Sequence, residues 1–472
     1  MKPVDITNLR LEPDGDFTKP GVLISVTDAY PTVRGSYRVG FGPTASGYSS
    51  LTDPTVGGAI LKWADGTTHC YVAQNKRIKE ADGSGGWTDR SAGGSDYTTM
   101  TDCQFAAYGS ATLAASLTNT LQVSTGGAFS AVSGAPKARC IAVMSNAVML
   151  GNYNNGSAVP DGWFASNTGD YTNWTAAANN AVANGRLLDT PGPITAMATL
   201  NETVIIWKAR GMYVGRYVGG SLIWAFDVLS PDVGCVGPNA WVHTDMGLVF
   251  VSERDIFLYD GSVIRSLADG RIRSYFLTQA NTRLTSILLT YEPIQSLVYI
   301  FLDTNGSGSG CNRALVWNHA CDKWGTGSTI GHVRCVVRNP NYSDLQAIGG
   351  FSTNSYLNAA LVVDNNGAPK IFATPATLGA TLTSGVFANL GSKSLLKRVT
   401  PYYLTAPTGS DTLAINYGYS GLDVSAGTAF FNWDSNKLRF DGSLVAEAYQ
   451  LFHGTFGEVN GWRAWPEPAG TE

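Results

Sequence analysis

Short apolar runs separated by polar turns recur along most of the chain, and residues 248–267, LVFVSERDIFLYDGSVIRSL, show the unit clearly. Residues 248–251, 256–259 and 262–267 are three β-rich runs, divided by the turns 252–255 and Asp260–Gly261. Asp-Gly between such runs favours a two-residue hairpin, because a type I′ turn needs positive φ at both central residues. The stretch therefore predicts a three-strand meander with a tight turn at Asp260.

Asp-Gly recurs at 14, 65, 82, 161, 260, 269 and 441, and Asn-Gly at 155, 184, 305, 366 and 460. Most of these dipeptides adjoin runs rich in Val, Ile, Tyr, Phe and Trp, so the fold class expected is all-β. Helical spacing is nearly absent; residues 112–121 and 270–279 have room for two or three turns each. Strand starts of similar texture fall near Ala59, Cys103, Cys140, Thr195, Asn239, Thr285 and His332. Their spacing of about 45 residues is that of a four-stranded propeller blade. Blades stacked radially cover one another's faces and leave only short edges. The pattern predicts a β-propeller of six or seven blades over 56–375, with 1–55 as an extended lead-in. Residues 376–472 alternate over longer runs, as in a β-sandwich or barrel.

Composition narrows the function classes. Charged residues are 14% of the chain against roughly 25% in an average domain. Glycine numbers 54 and the net charge is −4, which suits tight turns and lacks the basic footprint of a nucleic-acid binder. Residues 1–17 have no apolar core, so no signal peptide is expected, and the best apolar run, 140–150, is too short to span a bilayer. Seven scattered cysteines read as free buried thiols of a reducing compartment.

The search for chemistry returns little. Cys311, His319, Cys321, His332 and Cys335 lie within 25 residues, but without the paired spacing of a structural zinc site. Glu12, Asp14 and Asp16 alternate without the bidentate Glu that closes a calcium loop, and read as a solvated turn. Cys235 lies among turn residues and lacks an activating neighbour. No GxSxG elbow occurs, and the Gly-rich stretches GGSDYTTM and GSGSG lead into no helix that would hold a phosphate. Carboxylates distant in sequence leave a propeller glycosidase open as an enzyme reading. NTGDYTNW (167–174) is a superficial match to the Asp box of sialidases, but Gly169 and Tyr171 stand where that box needs Asp and Gly. A loop stapled by Trp163, Phe164 and Trp174 is the plainer account, and these three are the candidate interaction residues. No catalytic residue, metal or cofactor is expected.

NETVIIWKARGMYVGRY, GLVFVSERDIFLYDGSVIRSLADGRIRSYF and RALVWNHACDKWGTG, in that order, resemble the propeller of tail-nozzle proteins of short-tailed bacteriophages, also called packaged-DNA stabilisation or tail hub proteins. SNTGDYTNW and the early DAYPTVRGSYRVGFGPT have the same look, so the resemblance covers roughly 20–330. It implies a structural virion protein without enzymatic activity, assembled in the host cytoplasm and lacking membrane insertion. Six copies would form a ring below the portal and the head-to-tail adaptor, carry tail fibre, spike or needle proteins, and extend and close the DNA channel. DNA would pass without specific binding. A receptor-binding or fibre-attachment protein is the competing non-enzyme reading. The insertions near 151–185 and 303–312, rich in Gly, Asn and Trp rather than charge, are the expected contact surfaces.

Overall fold

The structure, a computed structural model, describes residues 4–337 apart from 17–18, 41–43, 46–47, 221, 281–282, 294, 307 and 309. Beyond these it describes 361–364, 366–371, 380–384, 394–405, 413–417, 427–431, 452–454 and 458–468.

Five four-stranded antiparallel sheets follow one another from Thr55 to Ser266. The first blade runs from Thr55–Lys62 to Trp87–Asp89, the second from Gln104–Tyr108 to Ser130–Ala131, and the third from Lys137–Met144 to Ala183–Arg186. Ile194–Leu200 opens the fourth, which ends at Trp224–Ser230, and Trp241–Thr244 opens the fifth, which ends at Ile264–Ser266. The sixth blade is Leu288–Glu292, Leu297–Leu302, Cys311–Asn318 and the first part of the long strand Lys323–Val337. The second part of that strand pairs with Leu361–Asp364, which pairs with Pro369–Ile371 and then with Thr44–Ala45, making a seventh blade. Residues 44–371 thus form a seven-bladed β-propeller, and the described strands between 380 and 468 pair with one another and with strands of the N-terminal segment. Each of the seven strand starts read from sequence opens, or lies beside the opening of, an innermost strand.

Apolar clusters fill the gaps between consecutive blades. Leu51, Ile60, Val72, Cys335, Val337 and Val363 seal the seventh blade to the first. The innermost backbones approach so closely that a Cβ on Gly57 would lie 2.0 Å from the Cys103 carbonyl oxygen.

Two expectations need correction, and one is met with slightly shifted bounds. Residues 112–121 open as a strand, Ala111–Ala115, buried throughout between its neighbours. The helix expected over 270–279 is Arg273–Ala280, in the link from the fifth blade to the sixth. The Asp260 turn is a four-residue loop: Tyr259 pairs with Ile264, and Gly261 has positive φ (101°) whereas Asp260 does not. The Asp260 carboxylate accepts from the N–H groups of Ser262 and Val263, which favours the longer loop.

Strands within residues 1–55 pair with distant parts of the chain. Val4–Thr7 pairs with Glu458–Pro468, and Val22–Thr27 with Ala380–Ser384, so strands from both ends of the chain share sheets. Ala29–Pro31 continues the sixth blade outward by pairing with Lys323–Val337. Tyr30 makes this docking possible by lying in a slot of glycines. A Cβ on Gly40, Gly325 or Gly327 would come within 2.7, 2.9 and 2.3 Å of the Tyr30–Pro31 side chains. Asn318 Nδ2 donates to the Pro31 carbonyl (2.9 Å), and Lys323 Nζ to that of Gly35 (2.6 Å). Asp14 accepts from the first backbone N–H groups of the helix, those of Ser274 and Tyr275. The motifs DAYPTVRG and KWGTG are therefore two halves of one joint.

Candidate functional site

Two places on a propeller can carry function, its axis and its rim. Near the axis lies a small cavity between the first five blades. Ala59, Ala106, Ala142 and Ala198 occupy equivalent positions on the innermost strands of the first four blades, and around them remains a cavity of only about 40 Å³. That is room for a few waters. No acidic or basic side chain lines it, and its polar groups include Gln104 and Thr199. Gln104 Nε2 donates to Asn239 Oδ1 at 3.0 Å, an amide bridge from the second blade to the fifth.

Several ionisable groups outside the cavity are engaged within blades or between them. Burial raises the pKa of Asp102, while Arg139 on the third blade, 3.1 Å away, opposes it. Burial also raises Glu80, but hydrogen bonds from His69 and Arg90, each 2.6 Å away, outweigh it and hold the carboxyl below its ordinary value. Lys208, 1% exposed, donates to the carbonyls of Leu187 and Thr190. Four turns repeat one device: Asp65, Asp82, Asp170 and Asp260 each accept from the N–H and the hydroxyl of the residue two places on. These bonds lower all four carboxyl pKa values, Asp260 to about 2.

The rim of the fourth blade is different in kind. The outermost strands of the first, second, third and fifth blades have 3, 2, 4 and 3 residues, while Trp224–Ser230 has 7. Long strand edges offer unpaired backbone groups, and proteins normally shorten or charge them. Of the seven large hydrophobic residues exposed among the described residues, five belong to this blade or its approach: Leu188, Tyr217, Val218, Leu222 and Val228. The hairpin presenting them is ordered by the Val218 N–H on the Ile223 carbonyl (3.0 Å) and by Tyr217 packed edge-on to Trp224. Its flanking charges, Arg216 and Asp227, pair with each other at 2.7 Å and leave the edge neutral.

The aromatic residues expected at an interface lie elsewhere. Trp163, Phe164 and Trp174 are 7%, 6% and 4% exposed. Trp163 packs between the third and fourth blades, and Phe164 and Trp174 between the second and third. Phe164 and Trp174 meet edge to face at 5.5 Å, so they staple the loop and offer no face to a partner. The fourth-blade hairpin was missed, although YVGGSLIW carries a signal: large apolar residues crowd both sides of a glycine turn where polar ones are the rule.

The remaining candidates also resolve into structure. Among the described residues, no group of three or more His, Cys, Asp or Glu is placed to hold a metal ion. All seven cysteines are free thiols; Cys321 is partly exposed and the others are buried, with burial pushing up the pKa of Cys70, Cys103 and Cys311. Cys235 is fully buried and donates to the Gly237 carbonyl (3.3 Å). Glu12 pairs with Arg10 at 2.9 Å, and Asp14 caps the helix, so that turn is a joint rather than a solvated loop. In the basic run 265–273, Arg271 and Arg273 are bound by Asp322, Asp255 and Asp269.

No family model matches the sequence, and no curated protein matches it. Similar solved structures include virginiamycin B lyase from Staphylococcus aureus, at 9% identity and TM-score 0.41 over 68% of this chain and 97% of that one. The extracellular domain of the one-component system BT4673 from B. thetaiotaomicron is similar at 10% identity and TM-score 0.44, over 87% and 48%. The Pan2 WD40 domain of Neurospora crassa is similar at 8% identity and TM-score 0.39, over 72% and 96%. Likeness at these scores carries no information on activity or partners.

Proposed function

We propose that this chain is a structural protein of the tail of a short-tailed bacteriophage, joined to further copies of itself in a closed ring of six. The ring extends the DNA channel below the portal and adaptor, retains the packaged DNA until ejection, and carries fibre, spike or needle proteins. The observation that carries this reading is the fourth-blade rim, where a long strand edge and four exposed apolar side chains, Tyr217, Val218, Leu222 and Val228, lie on one hairpin. Such a surface is suited to association, and contacts of this kind account for large exposed apolar patches. The small axial cavity supports the same reading. A duplex does not thread a cavity of about 40 Å³, so any conduit lies between copies, and a heterologous contact that closes produces a finite ring. With a net charge of −4, and with Arg271 and Arg273 already paired, the chain has a weak electrostatic footprint for gripping passing phosphates. The phrases of the tail-nozzle resemblance supply the rest of the argument.

Native mass measurement of the purified chain tests the reading. Six copies are expected; a monomer that persists at high concentration, or a trimer, overturns the ring.

A further inference from the structure

The loop 166–182, which the proposed function leaves unused, buries Trp174 but keeps another aromatic ring at the surface. Tyr108 ends the innermost strand of the second blade, Gln104–Tyr108, and Tyr171 lies in this loop, between Ala158–Ala165 and Ala183–Arg186 of the third. Both rings are half-buried against the apolar cluster between these two blades. Their centroids are 5.2 Å apart and their planes meet at 69°, so they stand as two walls of a corner. One backbone carbonyl holds both walls. Asn146, in the turn between Lys137–Met144 and Ala147–Asn154, accepts there from the Tyr108 hydroxyl at 3.0 Å and from the Gly169 N–H at 2.7 Å. Polar groups border the rings. The Asp170 carboxylate is fixed by the N–H and the hydroxyl of Thr172, at 2.8 and 2.6 Å. Burial raises the pKa of the Tyr108 phenol, and the charge of Asp170 beside it adds to the rise. Asn146 is exposed, and Gly169 next to it has no side chain to cover its amide; a Cβ there would lie 3.7 Å from Nδ2.

We propose that this corner binds an uncharged carbohydrate, its C–H faces against Tyr108 and Tyr171 and its hydroxyls on Asp170 and Asn146. Small-molecule sites combine apolar or aromatic walls with a few placed polar groups, and a sugar presents both kinds of surface. An ionised carboxylate only accepts, and bonds hydroxyls more strongly for its charge, while an amide both donates and accepts. Both rings are already held by packing and hydrogen bonds, so binding orders little. The charge pattern selects against acidic ligands. Residues 166–182 contain Asp170 and no Lys, Arg or His. The two arginines of the third blade are paired, Arg139 with Asp102 at 3.1 Å and Arg186 with Asp161 at 2.8 Å. A single-stranded nucleic acid also stacks on aromatic rings, but it would bring phosphates toward Asp170 with no cation to meet them. The corner lies within one chain and does not depend on the ring of six.

Ligand-observed NMR titration of the full chain with maltohexaose, isomaltohexaose, cellohexaose and mannohexaose tests the site, with hexagalacturonate as the acidic control. At least one neutral hexasaccharide should bind, and the acidic one should not. Tyr171→Ala should weaken that binding about tenfold, the scale of losing one aromatic anchor. Tyr171→Phe, which retains the ring, should keep most of the affinity, and Asp170→Asn should lose less than Tyr171→Ala. If Tyr171→Ala fails to fold, the other two variants decide the matter: an affinity lost in Tyr171→Phe, or unchanged in Asp170→Asn, contradicts the assigned roles. Absence of binding to all four neutral sugars, equal or tighter binding of hexagalacturonate, or full affinity in a folded Tyr171→Ala would each overturn the site.

Discussion

Two neighbouring hairpins on the third and fourth blades are built from similar residues and end in opposite places. The loop 166–182 and the hairpin around 217–224 are both rich in glycine, asparagine or serine, and both carry large aromatic residues. In the first, Asn167, Asn173 and Asn180 bond the loop back on itself, and Trp174 closes on Phe164. In the second, no chain returns over the apolar side chains, and Val218 and Leu222 stand 53% and 62% exposed. Aromatic content therefore does not mark a contact surface. What distinguishes the two is whether a polar loop has folded its own apolar residues into the gap between blades.

Trp174→Ala should break the first hairpin with the largest effect. The lost packing against Phe164 and the second blade should cost about 3–5 kcal/mol, read as a lower midpoint in urea unfolding. A change below about 1 kcal/mol, within the range of ordinary surface substitutions, would remove the staple.

Leu222→Asp with Val228→Asp probes the second hairpin in the opposite sense. Both sites are exposed, so folding stability should move by about 0.5 kcal/mol or less, while self-association is lost. Size-exclusion chromatography with light scattering reads that outcome, and oligomers of unchanged size would show that copies meet elsewhere.

The smallest effect concerns Asp170 and Asp260, whose turns border the two hairpins. Their pKa values lie below those of an unfolded chain, Asp260 at about 2. The stability they contribute is present above about pH 4 and lost as pH falls toward 2. Asp260→Asn should flatten melting curves across that window and leave those at neutral pH nearly unchanged.

How far the sequence reveals these features depends on the range of the interactions. The seven innermost strands are legible because each needs a local apolar run between turn residues. The helix Arg273–Ala280 was visible as a short window, but its cap was not, since Asp14 arrives from the other end of the chain. The same holds for the Tyr30 slot, where DAYP and WGTG are recognisable phrases whose partnership depends on pairing across the fold. Burial of Trp163 and Trp174 is likewise set by neighbouring blades, and an aromatic loop reads alike whether it folds inward or outward. The fourth-blade edge needs a comparison of outer-strand lengths, and strand ends are the least certain part of any pattern reading.

Closure of the ring by Thr44–Ala45 has a consequence for synthesis. The outer strand of the last blade is made hundreds of residues before its pairing partner, Lys370, leaves the ribosome. Val26 and Thr326, bonded across the sixth blade, are also 300 positions apart. The entropy of joining such distant segments is met only after the intervening blades exist, so folding should be slow, with the N-terminal segment docking last. Until that moment two strand edges in the sixth and seventh blades stand uncovered, and a nascent chain is at its most vulnerable to pairing with its neighbours.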